Sequence, residues 1–257
     1  MKKNVFYRVA VFALLLFACV GCRPTSPDEC LQKGVIAIKS GNYSKALKLA
    51  EIGLKLAPKD SDMFVLKALA CEGLGEEPMA VDAALSAVNA SGDNMTARYT
   101  LGRLYAKDIR RDGKTMQILV GILNKLPNDR NTLVLLSNVL VRSQVYSRFA
   151  GRYLDQLAVK PEFSRSSALQ NQYGVMFCRQ RRYAAARRCF ENALQLVGDN
   201  PVIFLNLARL HDYYFADSKG PAKTYYRQFI ERAGKNSAYT SLVSASQNRL
   251  MQLETYF

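Results

Sequence analysis

The chain has 257 residues, 49% apolar and 22% charged, enough to bury a sizeable core and too apolar to be disordered by composition. Lys and Arg number 36 against 21 Asp and Glu, a formal charge of +15 that favours acidic partners or anionic surfaces. A single histidine and six scattered cysteines show neither the pattern of a His-based triad nor the ligand spacing of a typical zinc site.

Residues 1–21 read as a targeting segment. Lys2, Lys3 and Arg8 supply a positive start, and Val9 to Val20 is an apolar run of twelve residues. At about 1.5 Å per residue that run reaches roughly 18 Å, short of a bilayer core of about 30 Å. Ala18-Cys19-Val20-Gly21-Cys22 follows. A small residue before a cysteine at the end of such a run resembles a bacterial lipobox, which implies diacylglyceride attachment, and hence a palmitate-type acyl anchor. Cys22 has Gly21 before it and a polar run after it; Cys19 is the competing site, and an ordinary signal peptide is the alternative to both. Removing the three leader charges leaves +12 on the mature chain.

Residues 22–26 form a tether. Ser26, Pro27 and Glu29 then carry a helix start: a hydroxyl cap, Pro at the first helical position and a carboxylate three residues after the cap. From there small residues return every 34 positions: Gly34, Ala68 and Gly102; Gly41 and Gly75; Ala46 and Ala80; Gly53 and Ala87. The first set predicts close approach of a second helix, and Gly41 and Gly75 predict left-handed helix ends. Pro58 stops the second helix. Later copies keep the phase with insertions near Asp112-Gly113 and Ser218-Lys219, and with Ser137 and Phe149 where small residues are expected. The copy at 167–200 is the most regular, with Gly174, Phe177, Tyr183, Ala186, Phe190 and Ala193. Asn236-Ser237 opens a last helix whose apolar side holds Tyr239, Leu242, Val243, Leu250 and Leu253. No segment reads as a strand.

This pattern resembles the tetratricopeptide repeat (TPR) family. The resemblance implies an all-α solenoid of six helix–turn–helix repeats, at 27–60, 61–94, 95–129, 130–163, 167–200 and 201–234, with a capping helix over 235–257. With the anchor, size and repeat number it is similar to the TPR pilotin lipoproteins of type IV pili, and also to the TPR lipoprotein of outer-membrane β-barrel assembly. It implies a protein-interaction scaffold, not an enzyme, in the bacterial envelope and facing the periplasm from the outer membrane. The alternative function is an adaptor that recruits peptidoglycan enzymes or binds anionic glycan.

In that family the concave groove is lined by first-helix residues. Carried onto this chain these are Leu31, Val35, Val65, Leu69, Tyr99, Arg103, Lys107, Asn138, Arg142, Asn171, Val175, Arg179, Arg209 and Tyr213, together with Lys39, Val134 and Leu205. The first two repeats offer apolar side chains, and the later ones interleave Arg, Lys and Asn with Tyr and Val. Such a groove implies another envelope protein as partner, with an acidic or C-terminal end held by units four to six. The basic runs Arg103 to Lys114 and Arg179 to Arg188 fit a solvated face, a lipid headgroup or an acidic protein; export argues against nucleic acid.

Nothing in the inventory forms a catalytic or metal constellation, and no cofactor or small-molecule substrate is implied. His211 and the cysteines Cys30 and Cys71 fall at core positions, and Gly73-Leu74-Gly75 reads as a helix end. Cys178 and Cys189 lie on two helices of one repeat, where a disulfide is conceivable but their faces differ.

Overall fold

The computed structural model describes residues 26–196, 200–215 and 219–256. The targeting segment and both lipobox cysteines lie outside the described residues, as does all of the tether but Ser26. Among the described residues there are thirteen α-helices and no strand. They are α1 (Pro27–Lys39), α2 (Tyr43–Leu56), α3 (Ser61–Gly73), α4 (Glu77–Ala90), α5 (Met95–Tyr105), α6 (Asp112–Lys125) and α7 (Arg130–Arg142), followed by α8 (Ala150–Ala158), α9 (Ser167–Arg179), α10 (Tyr183–Gln195), α11 (Pro201–Tyr214), α12 (Lys219–Ala233) and α13 (Thr240–Tyr256). Where the repeat pattern suggests one continuous array, the helices group into two compact units that divide between Leu104 and Tyr105.

In the first unit, α1 to α5, the starts of the first three helices each have a side-chain cap. Ser26 Oγ accepts from Glu29 N at 3.2 Å, Asn42 Oδ1 from Lys45 N at 3.1 Å, and Asp60 Oδ1 from Met63 N at 3.0 Å. α1 and α3 each end in a left-handed residue, Gly41 at φ 73° and Gly75 at φ 81°. The same pair of bonds closes both turns: Gly41 N to Ile38 O and Asn42 N to Ala37 O, then Gly75 N to Glu72 O and Glu76 N to Cys71 O. The buried seam is alanine-rich, with Ala37, Ala46, Ala50 and Ala70 around Leu66.

The small residues admit more than the partner helix. A Cβ on Gly34 would stand 2.3 Å from Leu66 Cδ2, and one on Gly53 would stand 2.2 Å from Met63 Sδ. Both intruding side chains come from α3, the first helix of the next repeat. The glycines therefore admit repeat-on-repeat packing as well as the hairpin within a repeat. Cys30 and Cys71 are fully buried small hydrophobes.

The second unit, α6 to α13, absorbs the irregular copies in 3₁₀ turns. The extra residue near Asp112 sits beside the turn Ile109–Arg111, whose start is capped by Asp108. Ser147–Phe149 precedes α8, leaving Phe149 about half exposed, while Ser137 is fully buried. In the regular copy, Ala186, Phe190, Ala193, Ile203, Leu207 and Leu210 form one core. Gly174 faces the Phe190 ring of α10: a Cβ there would lie 2.4 Å from Phe190 Cε1.

α11 opens with Asn200 capping Val202 N at 3.0 Å and with Pro201 in the first turn. α12 begins at Lys219, so Gly220-Pro221 falls inside its first turn. The last helix is held by one wholly buried carboxylate. Asp212 on α11 accepts from Lys219 Nζ at 3.0 Å, Arg249 Nε at 2.7 Å and Tyr226 Oη at 3.3 Å. Burial opposes its charge, but the hydrogen bonds from Arg249 and Lys219 prevail and hold its carboxyl below the usual range. α13 then lays Leu253 into the core of Tyr226, Phe229 and Ala233, with Tyr239, Leu242, Val243 and Leu250 packed beside it. Cys178 and Cys189 are both free thiols.

Candidate functional site

Each unit carries a concave surface built from first helices. In the first unit a cleft of about 400 Å³ is walled by Leu31, Val35 and Ile38 of α1 and by Val65, Leu66 and Leu69 of α3; Lys39, Asp62 and Thr96 are its polar members. The wall is apolar because the inward positions of two successive first helices hold branched side chains. Val35 stays 39% exposed while Val65 is buried, so the accessible strip runs mainly along α1.

The second unit holds a larger cavity of about 510 Å³. Val175, Cys178 and Arg179 come from α9, Tyr183 and Phe190 from α10, and Asn206, Arg209, Leu210, Tyr213 and Tyr214 from α11. Arg181, in the turn between α9 and α10, and Gln144, just after α7, complete it. Among the described residues no carboxylate lines this cavity. Arg179, Arg181 and Arg209 are exposed and, among the described residues, carry no ion pair. Tyr183 stacks on Tyr214 with ring centroids 4.0 Å apart and 15° between planes, and Tyr213 meets Tyr214 edge-on at 6.5 Å. Three guanidinium groups beside an apolar floor suit an anionic group attached to an apolar body.

No protein-family profile and no curated protein sequence matches the chain. Solved structures do. The structure of PilF from Pseudomonas aeruginosa overlays 85% of this chain and 97% of its own at 18% identity, with a TM-score of 0.61. PilW, described as a widely conserved type IV pilus biogenesis factor, overlays the same shares at 16% identity and a TM-score of 0.64. A tetratricopeptide repeat protein from Parabacteroides merdae covers 89% of this chain and 87% of its own at 14% identity, with a TM-score of 0.63. This chain has the TPR fold.

Within that fold the residues carried over from the family separate into three groups. Leu31, Val35, Val65 and Leu69 come together in the first cleft, and Val175, Arg179, Arg209 and Tyr213 in the second cavity. A second group is engaged inside the fold. Arg103 pairs with Glu72 through Nη1 to Oε1 at 2.6 Å, and that hydrogen bond raises its pKa. Arg142 reaches buried Asp112, with Nε 3.2 Å from Oδ2 and Nη2 on Oδ1. Asn138 accepts from Gln172, and Asn171 accepts from Asn206 Nδ2 at 2.9 Å. The Arg–Asn clamp expected across units four to six is thus partly consumed by contacts within the second unit.

The third group departs from its expected place. Lys107 lies beyond the end of α5, in the turn, because that helix stops at Tyr105. Tyr99 is half-buried and outside the first cleft, and Leu205 is a core residue. Burial pushes the Cys178 thiol up to about 11, against the weaker pull of Arg179. His211 is buried on α11 between Phe215 and Tyr225, and burial, reinforced by Arg187, pushes its pKa down. Among the described residues no group of His, Cys, Asp or Glu is placed to hold a metal ion.

Arg181, Asn206, Gln144 and Tyr214 join the cavity without having been singled out as groove residues. Arg181 had a legible signal: it stands at the repeat position that holds Gly41 and Gly75. Charge is also segregated. Residues 105–257 hold 23 Lys and Arg against 11 Asp and Glu, a net of +12, whereas residues 23–104 hold ten of each. The positive excess beyond residue 22 therefore belongs to the second unit.

Proposed function

We propose that this protein is a lipid-anchored interaction scaffold of the bacterial envelope, a pilotin-like assembly factor for a secretin or pilus system. Its second unit captures an acidic or C-terminal segment of another envelope protein, and the apolar cleft of its first unit takes aliphatic side chains. The observation that carries the reading is the cavity at Arg179, Arg181 and Arg209, where three guanidinium groups share a space with no carboxylate among its described lining residues. A carboxylate entering it gains charge-assisted hydrogen bonds without displacing an internal partner. The overlay on PilF and PilW across nearly their whole length supports the pilus-related reading. Anchoring rests on Cys22, with Cys19 as the competing cysteine, and among the described residues no helix is long and apolar enough to cross a membrane.

The exposed ring of Tyr213 beside the same arginines supports a second reading, in which the protein is an envelope adaptor that binds an anionic glycan or recruits peptidoglycan enzymes. Affinity purification from cross-linked membranes, with the parent and with Arg179→Ala/Arg209→Ala, tests the first. The expected result is loss of a protein partner at low salt and a flatter salt dependence in the variant. Equal capture by both would refute the cavity as the binding surface, and purification of glycan alone would favour the adaptor. Cys22→Ala should move the protein from the membrane to the soluble envelope fraction; release by Cys19→Ala alone would reassign the anchor.

A further inference from the structure

Three turns in this chain are closed by the same pair of backbone hydrogen bonds. In the first two the left-handed residue is glycine, Gly41 at φ 73° and Gly75 at φ 81°. In the third it is Arg181 at φ 60°, with Arg181 N donating to Cys178 O at 3.0 Å and Arg182 N to Phe177 O at 2.8 Å. Arg181 is the non-glycine residue with positive φ among those described. The left-handed conformation disfavours a residue with a Cβ, so glycine would close this turn with less strain.

An arginine kept where the backbone favours glycine needs a use for its side chain. The fold supplies none among the described residues: Arg181 is exposed and makes no ion pair there. It does line the cavity, beside Arg179 and Arg209, with Asn206 and Gln144 as neutral donors. We propose that Arg181 is a specificity-determining residue of the second-unit cavity, held in a strained turn so that its guanidinium binds the anionic group of the partner segment. This inference rests on the cavity being the binding surface, and it assigns the anion-reading role to a residue outside the first helices. Strain retained at a ligand-binding position has a recognisable signature, because relieving it stabilises the fold while weakening function.

The test separates backbone from side chain. Arg181→Gly removes both the strain and the guanidinium, whereas Arg181→Ala removes the guanidinium and leaves a Cβ in the left-handed turn. The probe is a fluorescein-labelled peptide of alternating leucine and glutamate with a free C-terminus, read by fluorescence anisotropy; circular dichroism gives the thermal midpoint. The glycine variant should melt about 2–8 °C higher than the parent and bind the probe about tenfold more weakly or worse. The alanine variant should lose the same affinity with no rise in midpoint. Affinity within twofold of the parent in Arg181→Gly, or a lower midpoint in that variant, would overturn the proposal. Arg179→Ala/Arg209→Ala keeps the two levels distinct. Lost binding there, with full binding in Arg181→Gly, removes only the role of Arg181. Full binding there, or a parent that prefers the glutamate peptide no more than its glutamine counterpart, removes the cavity reading itself.

Discussion

Replacing Gly174 with leucine tests the packing on which the second unit depends. A Cβ at this position would lie 2.4, 2.5 and 2.8 Å from three atoms of the Phe190 ring, about 1 Å inside ordinary contact. That ring is 1% exposed and packed against Ala186, Ala193, Ile203, Leu207 and Leu210, so the one open side left to it is the cavity it lines. Overpacking of this kind costs about 1–3 kcal/mol, and leucine with its three further carbons belongs at the upper end. Replacing a mid-helix glycine returns about 0.8 kcal/mol of helix propensity. The net loss is about 2 kcal/mol, which lowers the midpoint by about 4–8 °C for a domain of this size. Circular dichroism melts of the parent, Gly174→Leu, Phe190→Ala and the double variant measure it. Phe190→Ala alone should cost about 3–5 kcal/mol by leaving a cavity, and leucine at 174 should partly refill it, making the double variant less damaged than the sum. An unchanged midpoint for Gly174→Leu, or strict additivity in the double variant, would show that Gly174 and Phe190 do not share this space.

Arg142→Ala should lower the thermal midpoint, because Asp112 would be left buried without its guanidinium, while capture of an acidic peptide stays at the parent level; weakened capture would return Arg142 to the binding surface. Reversing Arg187 and Arg188 to glutamate should leave peptide capture largely intact, since Arg187 is engaged with Glu191 at 3.6 Å and with the Phe215 ring; loss of capture in that variant alone would move the binding surface there. His211 makes stability depend on pH with a definite sign. Its folded pKa is depressed, so its contribution is intact above the unfolded value of about 6.5 and declines as pH falls from there toward the folded pKa. Urea midpoints between pH 7.5 and 5.5 should fall more in the parent than in His211→Phe, and parallel curves would refute the buried neutral ring. Arg249→Ala should loosen α13 from Asp212 and raise hydrogen exchange along that helix; unchanged exchange would show that Leu253 and its neighbours hold the helix alone.

The fold was legible because its signals are local. A 34-residue return of Gly, Ala and Pro fixes where helices end and where side chains must be small, and both follow from backbone conformation and volume. Gly41, Gly75, Ser26 and the helix after Asn236 all stand in their expected roles for that reason. What could not be read was which side chains the fold itself would occupy. Arg142 and Arg179 hold the same place on successive first helices, yet one is bound to Asp112 and the other lies open in the cavity. The difference comes from Asp112, thirty positions away, at the start of a helix displaced by an inserted residue. Asn138 and Asn171 were likewise consumed by Gln172 and Asn206, neighbours about one repeat further along the chain. Periodicity identifies equivalent positions but not the irregular partners that neutralise some of them. Repeat positions therefore recovered Val175, Arg179, Arg209 and Tyr213 of the cavity, and its one departure from the repeat, an arginine where two other turns have glycine, marked Arg181. At that point the pattern predicts strain, and strain without a structural beneficiary points to a ligand.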